Sequence, residues 1–361
     1  MQLTLLVPEL VWPEPDDCQT LDTLACGALN MLIARSRFTR RPPQSLEATL
    51  TDACGLPAGA PYAALRCFGE STPAVDITND AYWICADPVH LRFLQERLIL
   101  ADSSCLGIEL DEAHAIADEL NRQFSDIGTF HVASAERWYL QLSSATDLGE
   151  FDVPPLSAIA GRSVERQLPA TPQMRGLRKL LNEAQMVLHG HPVNAARDDS
   201  GRMPINSLWL WGGGRLPQQL PRPFDSLWSA LPLAVGLGRA AGIPTRAVPP
   251  DAATFLASVG RSAPGSRHLV LLEDLLGPVQ YENGDGYRSA LQKLENDWFA
   301  PLRQALISGP LKQLRLESST AYGALCWQST PVEQWKLWRR TQPLATVAQN
   351  LAKVNPIRAS A

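Results

Sequence analysis

Apolar positions along this chain switch between two periods, and the switches outline its elements. Apolar residues at 21, 24, 25, 28, 29, 32 and 33 lie on one stripe at helical spacing, which predicts a helix over Leu21–Ile33. The same spacing predicts helices over 88–100, 111–124, 174–188 and 287–306, the last bent or divided at Pro301. A further small-residue helix ends at Gly242, a natural C-cap, with Pro244 preventing continuation. Short apolar runs predict strands at 3–7, 80–86, 130–132, 137–142, 205–211, 245–248, 269–272, 313–317 and 321–328. Trp335 and Trp338, three apart in a Trp-rich helix near 331–340, are expected to pack on the core.

Strands that alternate with helices indicate an α/β protein, and a run as apolar as Leu3–Val7 suits a central parallel strand. The pattern over 79–183 is self-sufficient and reads as a smaller α/β domain inserted into a core made of 1–78 and 184–361. One continuous sheet running through 130–142 and 205–211 would contradict that division.

With 361 residues, 45% of them hydrophobic and 19% charged, the chain has ample material for a core without staples. A formal net charge of −5 opposes an electrostatic grip on nucleic acid or anionic membrane; the only basic cluster is Arg35, Arg37, Arg40 and Arg41. The seven cysteines are odd in number and contain no CxxC pair, which suits buried thiols in a reducing compartment and a cytoplasmic location. No stretch approaches the roughly 18 apolar residues of a membrane span, and the first residues lack a basic leader.

The chemistry is expected around His189–Arg215, where the 205–211 strand runs into Gly212-Gly213-Gly214, a turn open to close approach. His191, Asn194 and Arg197 precede that strand, while Trp211, the three glycines and Arg215 leave it. Both loops could face one crevice, where guanidinium and glycine amides suit a phosphate or carboxylate. The structural alternative is that Arg197 and Arg215 pair with Asp198, Asp199 or Asp225 to order the loops.

The residues HPVN at 191–194, Arg197, Gly201 and Asn206, followed by WLWGGG at 209–214, resemble the segment by which archaeal-type cofactor-independent phosphoglycerate mutases re-enter their catalytic domain. Within that group the chain is most similar to the shorter bacterial RpfE-type regulatory proteins. The resemblance implies an alkaline-phosphatase-like core with a mainly parallel sheet, interrupted by a smaller inserted α/β domain. It also implies metal ligands that this sequence does not repeat. Where the family has Asp-Gly after its first strand, this chain has Glu9-Leu10, and where the family has a Gly-His…Gly-Asp turn it has GPVQYENGD, with Gln280 and Tyr281 near the histidine's place.

A two-metal phosphotransfer site requires several Asp and His ligands and a nucleophile within about 4 Å of the metals. The acids available at loop ends are Glu9, Glu273, Asp274 and Asp285, weak candidates for Mn²⁺ or Mg²⁺. The expected function is therefore a mutase-like regulatory or binding pseudoenzyme without a cofactor, acting on a protein partner or a phosphorylated small molecule. The competing expectation is a mutase or phosphatase with a reduced, one-metal site.

Overall fold

In chain order the strands are β1 (Gln2–Leu6), β2 (Arg37–Arg41), β3 (Tyr82–Leu94), β4 (Arg97–Ala101), β5 (Gly128–Ser134), β6 (Arg137–Leu142), β7 (Ser207–Arg215), β8 (Ser226–Trp228), β9 (Thr245–Arg246), β10 (Arg267–Leu271), β11 (Gln313–Thr320) and β12 (Gly323–Ser329). Helices of eight residues or more are α1 (Gly27–Arg35), α2 (Leu46–Ala53), α3 (Tyr62–Gly69), α4 (Leu110–Gln123), α5 (Arg175–His189), α6 (Pro192–Asp199), α7 (Pro232–Ala241), α8 (Ala252–Val259), α9 (Gly284–Leu294), α10 (Ala300–Ser308) and α11 (Leu344–Val354). The computed structural model describes residues 1–70, 80–94, 96–143, 148, 152–165, 167, 172–260 and 263–354. They fall into two units, the first being Met1–Gly55, Pro221–Ala230 and Gly242–Ala361, the second Leu56–Leu220 and Leu231–Ala241.

The first unit is built on a seven-stranded sheet in the order β2-β12-β11-β1-β10-β8-β9. Its β11, β1, β10, β8 and β9 pair in parallel, and β12 and β2 add an antiparallel edge. Leu3, Leu5 and Leu6 of β1 are buried, as a parallel strand covered on both faces requires. The helical stripe over 21–33 yields a helix only from Gly27, because Thr23 takes a left-handed φ of 60° and separates it from the short turn at Cys18–Leu21. Pro301 falls in the first turn of α10, where its missing N–H costs nothing, and the wider π-helical turn Glu295–Phe299 joins α10 to α9. The Trp-rich helix expected near 331–340 stops at Gln334, so its stripe never forms. Trp335 and Trp338 are 66% and 76% exposed rather than packed on the core.

The second unit holds an antiparallel sheet in the order β4-β3-β6-β5, with β7 also paired to β3. Residues 128–142 and 207–215 therefore share one sheet, which corrects the division at 183/184: the chain stays in this unit to Leu220. The other proposed boundary, 78/79, lies outside the described residues. The helix expected over 88–100 is instead the end of β3 and β4, with His90–Leu94 paired residue for residue to Arg97–Ala101. Pairing of β3 to β4, β6 and β7 overrides the local helical spacing.

Gly212–Gly214 is likewise a continuation of β7 and not a turn. A Cβ on Gly214 would lie 2.4 Å from Cβ of Pro61, and one on Gly212, at φ +68°, would lie 2.9 Å from Cβ of Tyr62. The glycines thus admit the start of α3 against the strand. A second close approach joins α3 to α7, where a Cβ on Gly69 would meet the carbonyl oxygen of Pro232 at 1.7 Å, and one on Gly236 that of Leu65 at 1.7 Å. Among the described residues no helix is long and apolar enough to cross a membrane.

Candidate functional site

In open parallel sheets, ligands meet the loops at the carboxyl ends of the strands. In the first unit the loop after β1 fills part of that edge with its own side chains, since every residue from Val7 to Trp12 is buried. The backbone is anchored by Val7 N–H to Glu317 O (2.8 Å), Glu9 N–H to Ser319 O (2.8 Å) and Leu10 N–H to Ser318 Oγ (3.1 Å). Tyr287 donates to Leu10 O at 2.7 Å and its ring lies 5.1 Å from that of Trp12, tilted by 55°; Tyr322 donates to Trp12 O at 2.9 Å. Glu9 adopts φ 55°, a strained conformation for a residue with a Cβ. Burial first, then neighbours that include Cys26 and Glu9, push the Tyr287 hydroxyl well above its ordinary range, so it stays neutral.

Beside this loop, α1 presents its N-terminus without a capping side chain of its own, Cys26 being the N-cap residue. The orphan amides are taken by Glu295, whose two carboxylate oxygens accept from Ala28 N–H (2.6 Å) and Leu29 N–H (3.0 Å). Glu295 is 6% exposed and comes from the π-helical turn. A helix N-terminus is a natural anion site, and here the chain supplies the anion itself. Burial, and then the Glu295 charge, push the Cys26 thiol up to about 12, so this thiol is not a nucleophile near neutrality.

The four acids named from sequence do not form one group, although the neighbours Glu273 and Asp274 act on each other. Glu9 acts on Tyr287 and Tyr322, whereas the charges acting on Glu273 are those of Asp274 and Glu47. Burial, then those two carboxylates, raise the Glu273 carboxyl to about 7. Asp285 is exposed in the first turn of α9. Among the described residues no three His, Cys, Asp or Glu side chains group as metal ligands. These residues do not fit a two-metal centre, and no chemical step is derived through one.

In the second unit, the predicted anion-binding residues are mostly committed to the fold. His191 is buried as the N-cap of α6, its Nδ1 accepting from Val193 N–H at 3.2 Å. Asn194 donates to Leu188 O and Ile205 O and accepts from Ile205 N–H, each at 2.7 Å, so it fixes the entry to β7. Arg197 is fully buried and pairs neither with Asp198 and Asp199 nor with Asp225. Its Nη1 reaches Glu112 at 2.6 Å, Nε donates to Met203 O at 2.9 Å, and Nη2 donates to Leu106 O. Burial alone would raise Glu112, but the Glu109 amide, Arg197 and Arg202 together hold its carboxyl below the ordinary range.

Trp211 donates its indole N–H to Asp87 Oδ2 at 2.8 Å. Asp87 is also held by both Nη atoms of Arg66, at 2.8 and 2.6 Å, and that guanidinium lies 4.7 Å from the Tyr139 ring centroid and 5.2 Å from that of Trp211. Of the predicted group only Arg215 is an exposed cation, over the Tyr82 ring at 5.8 Å. Sequence reading missed Glu295, Arg66 and Asp87. The available signal was a charge inside an apolar run, as in Ile84-Cys85-Ala86-Asp87-Pro88-Val89 and Ala64-Leu65-Arg66-Cys67-Phe68.

No family model matches the chain. It is 31% identical over 162 residues to 2,3-bisphosphoglycerate-independent phosphoglycerate mutase 2 of Methanothermobacter thermautotrophicus, covering 43% of this chain and 39% of the relative. To the 2,3-bisphosphoglycerate-independent phosphoglycerate mutase of Methanosarcina acetivorans it is 30% identical over 218 residues, covering 54% and 53%. The chain thus spans about half the length, or less, of these curated relatives. Among solved structures, the PH0037 protein of Pyrococcus horikoshii superposes with a TM-score of 0.54 at 12% identity, over 98% of this chain and 95% of that one, which shows a shared fold alone. The chain is a mixed α/β protein with a large, parallel-rich sheet, homologous over part of its length to cofactor-independent phosphoglycerate mutases at modest identity.

Proposed function

We propose that this chain is a mutase-like pseudoenzyme of the RpfE regulatory type, which acts by binding a protein partner or a phosphorylated small molecule in the cytoplasm and needs no metal cofactor. In this reading it has an alkaline-phosphatase-like core interrupted by the antiparallel unit. The observation that carries it is the Glu295 carboxylate on the Ala28 and Leu29 amides. Where a helix N-terminus would receive a substrate anion, an internal anion is already fixed, and the Val7–Trp12 loop beside it is filled by its own buried side chains, Glu9 among them. Arg215 beside Gly212–Gly214 is the remaining contact for a phosphate or carboxylate from outside.

The test is a phosphoglycerate mutase assay with Mn²⁺ added, beside metal analysis of the purified protein and calorimetric titration with 3-phosphoglycerate. The expected result is no turnover, no stoichiometric metal, and binding that Arg215→Ala weakens about 10- to 150-fold. Turnover of 3-phosphoglycerate overturns the proposal in favour of a reduced, one-metal mutase or phosphatase.

A further inference from the structure

Two segments far apart in sequence, 35–41 and 331–340, meet on one face of the first unit. Arg35 Nη1 donates to Gln334 O at 2.7 Å and Arg339 Nη1 donates to Ser36 O at 2.7 Å, so each segment holds the other. The second segment is fixed at its start by the capping box of Thr330 and Glu333, and by buried Gln334, which donates to Ser329 Oγ at 2.6 Å. Turn hydrogen bonds carry it onward, Trp335 N–H to Val332 O at 3.3 Å and Arg339 N–H to Lys336 O at 3.1 Å. This anchored backbone nevertheless turns its largest apolar side chains to solvent: Val332, Trp335, Leu337 and Trp338 are between 66% and 76% exposed. Four such side chains within seven residues mark a surface of contact.

The charge on this face runs against that of the whole chain. The two segments hold seven arginines and lysines and one carboxylate, Glu333, in a chain whose formal net charge is −5. Arg41 is paired with Asp52, and Lys336 lies 3.9 Å from Glu333. Arg35, Arg40 and Arg339 are instead held by backbone carbonyls, those of Gln334, Leu351 and Ser36, which fix a guanidinium in place without neutralising it. Arg37 and Arg340 are exposed. A partner for this face must therefore accept bulky apolar side chains and surround them with negative charge. An anionic bilayer offers both: indole rings settle at headgroup level, Leu and Val reach the acyl boundary, and each arginine or lysine near the surface strengthens attachment roughly fivefold. Either signal alone gives marginal attachment, and this face carries the two together. A single strand of nucleic acid would use the rings and the arginines but offers nothing to Val332 and Leu337.

We propose that this face attaches the protein to an anionic lipid surface, with Trp335, Leu337 and Trp338 seated among the headgroups and Arg37, Arg339 and Arg340 on lipid phosphates around them. No covalent step is involved, and the inference rests on neither Arg215 nor the Glu295 cap, so it stands apart from the function proposed above.

The experiment is flotation of the full chain with vesicles of phosphatidylcholine alone and with vesicles of an equal mixture of phosphatidylcholine and phosphatidylglycerol. Binding to the mixed vesicles is expected to be at least about 10-fold tighter than to the neutral ones and to weaken as salt is added. Two double variants, Trp335→Ala with Trp338→Ala and Arg37→Glu with Arg340→Glu, should each weaken it by about 10-fold or more. All four positions are exposed and the second pair spares the Arg339 anchor, so both variants should melt with the wild type. No flotation with the mixed vesicles, equal flotation with both kinds, or binding indifferent to both double variants would overturn the proposal. Tighter binding to single-stranded oligodeoxythymidylate than to the mixed vesicles, lost in the same variants, would assign the face to nucleic acid and overturn it as well.

Discussion

Ala28 and Glu295, 267 residues apart in sequence, are joined by a 2.6 Å hydrogen bond from backbone amide to buried carboxylate. With the parallel bond from Leu29, this contact caps α1 from another helix. Glu295→Ala leaves two buried amides unpaired and is expected to destabilise the protein by about 2–4 kcal/mol. Urea denaturation measures it, and a loss below about 1 kcal/mol would mean that the cap contributes little.

The Glu273 carboxyl, raised from its ordinary 4.5 to about 7, makes stability depend on pH. Because the folded state keeps the proton more tightly than the unfolded chain, this contribution is complete below about 4.5 and is lost as pH rises through about 7. Glu273→Gln, permanently neutral, should be up to about 3 kcal/mol more stable than wild type at pH 8 and nearly equal to it at pH 4. Equal denaturation midpoints at both pH values would refute the assignment.

Asp87 balances a buried guanidinium and an indole N–H at once. Asp87→Ala should cost about 3–5 kcal/mol by leaving the Arg66 charge unpaired, whereas Trp211→Phe, which removes one hydrogen bond, should cost about 0.5–1.5 kcal/mol from that bond alone. Replacing both Arg66 and Asp87 by apolar residues should cost less than Asp87→Ala alone. A double-mutant cycle with no coupling would contradict the geometry.

Two glycines should respond in opposite directions. Gly236→Ala sets a methyl group against the Leu65 carbonyl and should destabilise the second unit by more than about 3 kcal/mol. Gly27→Ala, in the first turn of α1 with nothing within 4 Å of the new Cβ, should be neutral or stabilising by up to about 1 kcal/mol. Thermal melts of the two variants distinguish these outcomes.

Much of the element pattern was legible because it rests on local periodicity: the runs at 3–7, 137–142 and 269–272 all became strands, and 111–124 and 174–188 became helices. The errors arise where distant pairing decides. Residues 88–100 carry helical spacing, yet β7, more than a hundred residues later, holds part of them extended. The glycine triplet reads as a turn open to close approach; it is strand instead, and what approaches Gly212 and Gly214 is Tyr62 and Pro61 of the same chain. Arg197 was recognised as a binding group, but its partner is Glu112, which no local pattern identifies. A carboxylate such as Glu295 that caps a remote helix leaves no trace at short sequence range.

The order of pairing has a consequence for synthesis. Of the seven strands in its sheet β1 is made first, yet its two neighbours are β10 and β11, which end at Leu271 and Thr320. The second unit must likewise wait for Pro232–Ala241 before α7 can lock against α3. A nascent chain therefore carries an unpaired β1, with Leu3, Leu5 and Leu6 uncovered, until β10 and β11 have been made, with few local contacts to shield it. Chains truncated before Arg267 would be expected to depend on chaperones and to aggregate, while those extending past Ser329 become competent to close the sheet.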